Sequence, residues 1–139
     1  MIYKVIDIFE PMITRFLTLE NVETGVRVEC FDDSDVCGKY DFKHMKAGEC
    51  YDCKLLLFGD ETTKDEIYYT MKGERLVQLR CVPKRRLKIG HADLVEVDAD
   101  GETYYVLCHE IKDPSKEFYY MAVRKDLIEV DGVPHPEMV

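Results

Sequence analysis

Along most of this chain, apolar and polar residues alternate with a period of two, and that period restricts it to a fold built from sheet. Ile13, Arg15, Leu17 and Leu19 alternate with Thr14, Phe16 and Thr18, and Val26, Val28 and Cys30 alternate with Arg27, Glu29 and Phe31. Successive strand side chains point to opposite faces, so each stretch has a core side and a mixed side. The Asn and Gly of Asn21-Val22-Glu23-Thr24-Gly25 supply a hairpin loop between them. A first strand is expected over Ile2 to Phe9 and ends before Pro11, which has no N–H for a ladder. Tyr51, Cys53, Leu55 and Leu57 give another strand face. Further strands are predicted at Ile67–Met71, Leu76–Val82, Leu94–Val97, Thr103–Cys108, Phe118–Val123 and Leu127–Val130. Asp98-Ala99-Asp100-Gly101 and Asp113-Pro114-Ser115 mark turns between them. Short strands at regular spacing indicate an all-β barrel or sandwich and exclude a βαβ fold.

One stretch breaks the pattern. Asp32-Asp33-Ser34-Asp35 offers N-cap and first-turn acids, followed by Val36, Tyr40 and Lys43-His44-Met45, so one short helix at most is expected within residues 32–47. The order strand, strand, strand, short helix or loop, strand, strand resembles the five-stranded oligonucleotide/oligosaccharide-binding fold. Met45-Lys46-Ala47-Gly48-Glu49-Cys50-Tyr51 is similar to the apolar-x-x-Gly-acid-x-aromatic lead-in to the fourth strand of many such barrels. The resemblance implies an OB-like small barrel over about residues 1–82. The 139 residues suffice for one compact unit. A junction near Lys88-Ile89-Gly90-His91 allows a subdivision into the 1–82 barrel and a β-meander over 91–131, which either completes that barrel or forms a small appended one.

Charge bears on partners. The chain carries 19 basic and 28 acidic side chains, a formal net charge of −9. So negative a protein repels polyanions at long range, which disfavours nucleic acid and anionic membranes as partners. Arg80, Lys84, Arg85, Arg86 and Lys88 nevertheless form a basic block with no acid between them. Such a block solvates an edge strand or neutralises a phosphate or carboxylate locally. Apolar runs such as Leu55-Leu56-Leu57-Phe58 are too short for a membrane helix or a signal-peptide core, and Met1-Ile2-Tyr3-Lys4-Val5 reads directly as strand. A cytoplasmic protein is the expectation.

Six cysteines (Cys30, Cys37, Cys50, Cys53, Cys81 and Cys108) are then expected to be reduced and mostly buried. Cys50-Tyr51-Asp52-Cys53 has the spacing of a zinc knuckle or a dithiol. On a strand, however, positions i and i+3 face opposite ways, and no helix follows to lower a thiol pKa. A thiol- or zinc-dependent protein using Cys50 and Cys53 stands as the alternative reading.

Three acid-x-Tyr-Tyr tetrads begin at Glu66, Glu102 and Glu117. Each pair directs one ring inward and one outward. The outward rings, one of Tyr68 and Tyr69, one of Tyr104 and Tyr105 and one of Tyr119 and Tyr120 (represented by Tyr69, Tyr105 and Tyr120), would form a stacking platform bordered by the basic block. Catalytic motifs are missing: there is no phosphate-binding Gly-rich loop, GxSxG or HExxH, and nothing calls for a cofactor or assigns a metal ligand. His91 and His109 merely neighbour an acid, Cys108 and His109 point apart on one strand, and His135 sits between two prolines in a tail read as mobile. Asp32, Asp33 and Asp35 are read as capping and solvating. The sequence thus points to a non-catalytic β-barrel binding module for a protein partner or a short single-stranded nucleic acid or sugar. Net charge favours the protein.

Overall fold

The structure is a computed structural model that describes residues 1–64, 69, 71–73 and 78–139. It contains β1 (Ile2–Phe9), β2 (Arg15–Asn21), β3 (Arg27–Asp32), β4 (Cys50–Thr62), β5 (Gln78–Ile89), β6 (Ala92–Ala99), β7 (Glu102–Leu107), β8 (Phe118–Val130) and β9 (Val133–Pro134). Among the described residues only three short 3-10 turns interrupt the strands, at Ser34–Cys37, Cys108–Glu110 and Pro136–Met138. No helix among them is long and apolar enough to cross a membrane. The protein is all-β, as the period-two pattern requires. All nine strands are hydrogen-bonded in one sheet, ordered β3-β2-β1-β4-β7-β6-β5-β8-β9, with additional pairings β3–β8 and β4–β8.

The contacts group into two units. The first holds Met1–Leu55, Ile89–His91 and Lys125–Val139, and the second Leu56–Lys88 and Ala92–Arg124. The chain changes unit inside β4, on either side of Ile89–His91, and inside β8. Each of these strands has 13 residues. At about 3.3 Å per residue that is roughly 43 Å, more than twice a typical strand. The segments predicted separately at Phe118–Val123 and Leu127–Val130 are one strand, β8. The predicted strand Ile67–Met71 lies mostly outside the described residues, as do residues 76 and 77 of the next.

In the first unit, β1, β2 and β3 form an antiparallel meander, and Ile2, Tyr3 and Lys4 pair with Asp52, Tyr51 and Cys50 of β4. Phe31 of β3 pairs in parallel with Asp126 of β8, and the Asp131 N–H donates to the Asp52 carbonyl at 2.7 Å. The strands therefore follow one another in the order β1-β2-β3-β8-β4 and back to β1. Val5, Leu17 and Leu19 lie at the core with no exposed surface. Arg15 shares their parity and is buried too. It stands directly opposite Asp32, and Nε donates to the carboxylate at 2.8 Å. Its other end donates to the Phe42 carbonyl. The second Asp32 oxygen accepts the Ser34 N–H at 3.0 Å, and the Ser34 hydroxyl accepts the Phe42 N–H at 3.0 Å. This network takes up the polar groups that would otherwise start a helix, so the 32–47 stretch makes a single 3-10 turn that stops at Gly38 with φ +70°. Asp32 is thus buried against an arginine where solvation was expected.

The C-terminal segment is docked, contrary to its reading as a mobile tail. The His135 N–H donates to the Ile128 carbonyl at 2.7 Å, Tyr40 Oη donates to the Pro134 carbonyl at 2.5 Å, and the His91 N–H donates to the Met138 carbonyl at 2.7 Å. A β-carbon on Gly90 would fall 1.5 Å from that Met138 oxygen, and Gly90 has φ +57°. Only glycine meets both demands.

The second unit combines β5, β6 and β7 with the remaining parts of β4 and β8. β5, β6 and β7 run consecutively, β7 pairs in parallel with β4 (Leu56 opposite Tyr105), and β5 pairs with β8 (Gln78 opposite Met121, Cys81 opposite Phe118). β4 closes on β8 where Gly59 lies against the Met121 carbonyl, so near that a β-carbon would sit 1.8 Å from it. Val95, Val97, Val106 and Tyr120 fill the interior and expose no surface.

Removing one member of the Arg15–Asp32 pair strands a buried charge. Asp32→Ala is expected to lower unfolding free energy by about 3–5 kcal/mol in urea titrations, and the double variant Arg15→Met, Asp32→Leu to lose less. A double variant no more stable than Asp32→Ala would show that the pair's network, not its charge balance, carries the effect.

Candidate functional site

All five residues of the predicted basic block lie on β5, which Lys84, Arg85, Arg86 and Lys88 continue past Pro83 as an exposed stretch. Four of the five are matched by acids of the same unit. Arg80 holds Glu117 through two bonds, Nε at 2.6 Å and Nη2 at 2.9 Å. Lys84 lies 3.7 Å from Asp98, Arg85 reaches Glu96 at 3.4 Å, and Lys88 lies 3.5 Å from Asp93. Four of the block's five charges thus each stand beside an acid of their own unit. These are solvent-exposed pairs of small individual worth.

The predicted tyrosines do not assemble into a platform. Tyr69 is 63% exposed, but Tyr105 is 5% and Tyr120 0% exposed. Tyr120 faces the core of the second unit, where its hydroxyl donates to Glu110 at 2.8 Å. Tyr105 stands opposite Glu96 and donates to its carboxylate at 2.8 Å. A ring without free surface cannot stack on a base. Burial alone would raise the Glu96 pKa, but the Tyr105 hydroxyl and the Arg85 guanidinium outweigh it and hold the carboxyl below its usual range.

Aromatic rings do line up elsewhere, on the mixed faces of the first three strands. Phe9 pairs with Phe16, and Phe16 pairs with Phe31. Directly opposed residues share a face, so the three phenylalanines form one row across β1, β2 and β3. The Phe16 and Phe31 ring centroids are 5.3 Å apart. Phe9 is 62% exposed, and the loop that follows adds Met12 at 82% and Ile13 at 57%. Two residues along each strand, Asp7, Thr18 and Glu29 form the adjoining row in the same register. The signal was visible in the sequence, where Phe16 and Phe31 occupy the polar sides of their alternations. What the sequence does not give is the register that puts them in line.

The thiols are all free, and the geometry separates the Cys50–Cys53 pair. Cys50 is exposed and Cys53 buried, on opposite faces of β4. Burial pushes the thiols of Cys53 and Cys81 up to about 12 and raises that of Cys30 as well.

A second cluster joins two segments of the first unit. His135 is buried, its Nε2 2.7 Å from Asp33 Oδ1, while Nδ1 accepts the Glu137 N–H at 3.1 Å. The Phe42 ring meets the imidazole edge-on at 6.3 Å. Burial opposes an imidazolium here, and Asp33 more than compensates, so the pKa is raised. Cys37 lies beside both, its thiol raised by burial and by Glu137. Sequence reading set His135 aside because proline neighbours suggested a loose tail.

Comparison with protein-family models, with curated proteins and with solved structures gives no match, so the candidate sites stand on this geometry alone.

Two outcomes follow from these groups. In the native protein at pH 8, Cys50 is expected to be alkylated first, and Cys53 and Cys81 more than about 100-fold more slowly, as judged by peptide mapping. Because Glu96 has a lowered folded pKa, its contribution is full at neutral pH and is lost as pH falls through that value. Glu96→Gln should therefore be less stable than wild type at pH 7, and the difference should vanish at the acid end of a pH series of thermal melts.

Proposed function

We propose that this protein is a non-catalytic β-barrel binding module whose ligand is a segment of another protein, held on the outer face of β1, β2 and β3. The observation that carries the reading is the in-register row Phe9–Phe16–Phe31, continued by the exposed Met12 and Ile13. A contiguous apolar strip of this kind marks an interaction site, and aromatic anchors dominate binding energies. The neighbouring row contains Asp7 and Glu29, and the whole chain is at −9, so the segment that fits combines apolar side chains with lysine or arginine.

The first unit's strand order, β1-β2-β3-β8-β4 with one parallel pairing between β3 and β8, supports reading it as an OB-like barrel, a five-stranded Greek-key architecture that binds through its sheet face and loops. On this reading the fifth strand comes from β8 and not from residues before 82. The charge-matched β5 block and the buried Tyr105 and Tyr120 argue against single-stranded nucleic acid. The split faces of Cys50 and Cys53 argue against shared chemistry at that pair. Six free thiols suit a reducing compartment such as the cytoplasm.

Selection from a displayed peptide library tests the proposal. Peptides that pair aromatic or aliphatic residues with Lys or Arg should be enriched. The double variant Phe9→Ala, Met12→Ser should bind them at least about tenfold more weakly, with an unchanged melting temperature because both side chains are exposed. Equal binding by the variant would overturn the assignment of this face. Single-stranded oligonucleotide binding at low salt that is lost in Arg85→Ala, Arg86→Ala would replace protein by nucleic acid as the ligand.

A further inference from the structure

We infer that Cys37, His135 and Glu137 form a binding site for a divalent transition-metal ion of the zinc class. A thiol sulfur, an imidazole nitrogen and a carboxylate oxygen, one from each residue, all lie within 4.8 Å of one another. Tetrahedral coordination with bonds of about 2.0–2.3 Å sets donors roughly 3.3–3.8 Å apart, so the side chains need only close in by about 1 Å. Two of the three are free to do so, since Glu137 is exposed and Cys37 only partly covered, while His135 is fixed. That exposure also leaves room for water as a fourth ligand.

The surroundings of His135 are those of a metal ligand. A metal-bound imidazole characteristically donates its other ring N–H to a carboxylate, which sets the tautomer and aims the remaining nitrogen. Asp33 stands 2.7 Å from Nε2 and fills that role. With Nε2 protonated, Nδ1 carries the lone pair, held at present only by the Glu137 backbone N–H at 3.1 Å. An ion would take the place of that single bond and gain the Glu137 side chain in exchange. The donor set also selects the ion: sulfur and imidazole favour zinc and its neighbours over calcium or magnesium, which require oxygen. The three aspartates near this turn are engaged elsewhere, Asp32 with Arg15, Asp35 with Lys43 at 2.9 Å and Asp33 with His135. They support the site and do not constitute a second one.

An ion here would link the 3-10 turn at Ser34–Cys37 to the C-terminal segment, two pieces of chain about a hundred residues apart. The inference is independent of the proposed protein-binding face, and its failure would leave that face untouched.

The test uses full-length protein stripped with chelator and then supplied with Zn2+. One equivalent of zinc should survive buffer exchange. At zinc concentrations about 100 times the dissociation constant, alkylation of Cys37 should slow about 100-fold, since about 1% of the protein is then ion-free. Cys50, exposed and outside the cluster, serves as the internal reference and should be unaffected, and Mg2+ or Ca2+ should protect neither. Cys37→Ser and Glu137→Gln alter side chains that carry no core packing and should abolish retention while leaving the melting temperature of the stripped protein unchanged. Asp33→Asn, which removes only the orienting carboxylate charge, should weaken binding about 10–100-fold. The inference is overturned if stripped wild type retains no equimolar zinc, if Cys37→Ser retains it undiminished, or if zinc protects Cys50 in place of Cys37.

Discussion

The buried ion pair of Arg15 with Asp32 is the constraint from which the first unit's functional geometry follows. Two charges withdrawn from water must satisfy each other fully, and every remaining lone pair and proton needs a partner. Asp32 meets that demand with Arg15 and the Ser34 N–H, and Arg15 with Asp32 and the Phe42 carbonyl. The pair fixes the β2–β3 register, since the two residues are directly opposed. That register is also what aligns Phe16 with Phe31. The same bonds fold the chain after β3 into a tight turn and hold the Phe42 segment where its ring meets His135. Asp33 and Cys37 of that turn stand against the C-terminal segment, beside His135 and Glu137. Both candidate sites of this unit depend on one internal salt bridge.

Long strands do for the architecture what the ion pair does for the turn. β4 and β8 each contribute to both units, so neither unit is a continuous stretch of sequence. Each unit combines a three-strand meander with parts of the long strands β4 and β8, and each contains a parallel pairing, Phe31 with Asp126 in the first and Leu56 with Tyr105 in the second. A meander alone exposes two edges, and borrowing part of a strand from elsewhere in the chain covers them. Parallel pairing is open to such a strand, because no tight hairpin joins it to the edge it covers, although β1–β4 and β5–β8 pair antiparallel.

Charge behaves differently in the two units. The basic block of β5 looks in sequence like a site for an anion, yet Glu96, Asp93 and Asp98 of β6 and Glu117 just before β8 stand beside four of its five charges. Sequence adjacency counts charges along one strand, while electrostatics acts across strands. On the β1–β2–β3 face Asp7 and Glu29 lie beside the phenylalanine row, and the row beyond them, Lys4–Glu20–Arg27, mixes both signs.

The strand class, most strand positions and the reduced thiols were determined by sequence alone, because period-two alternation and turn residues act locally and the strand parity of Cys50 and Cys53 is fixed by geometry. Even the anomaly was legible: Arg15 shares the apolar side of its alternation with Leu17 and Leu19. Tertiary structure decided the rest. Whether Tyr105 and Tyr120 face solvent depends on which strands flank them, and parity cannot say which side of a closed sheet is the interior. The phenylalanine row depends on interstrand register, which one strand's sequence does not contain. The placement of His135 depends on a segment with almost no periodicity, anchored by single hydrogen bonds to Ile128, Tyr40 and His91. Contacts between residues a hundred positions apart leave no local pattern, so the cluster of Cys37, His135 and Glu137 exists only in the folded chain.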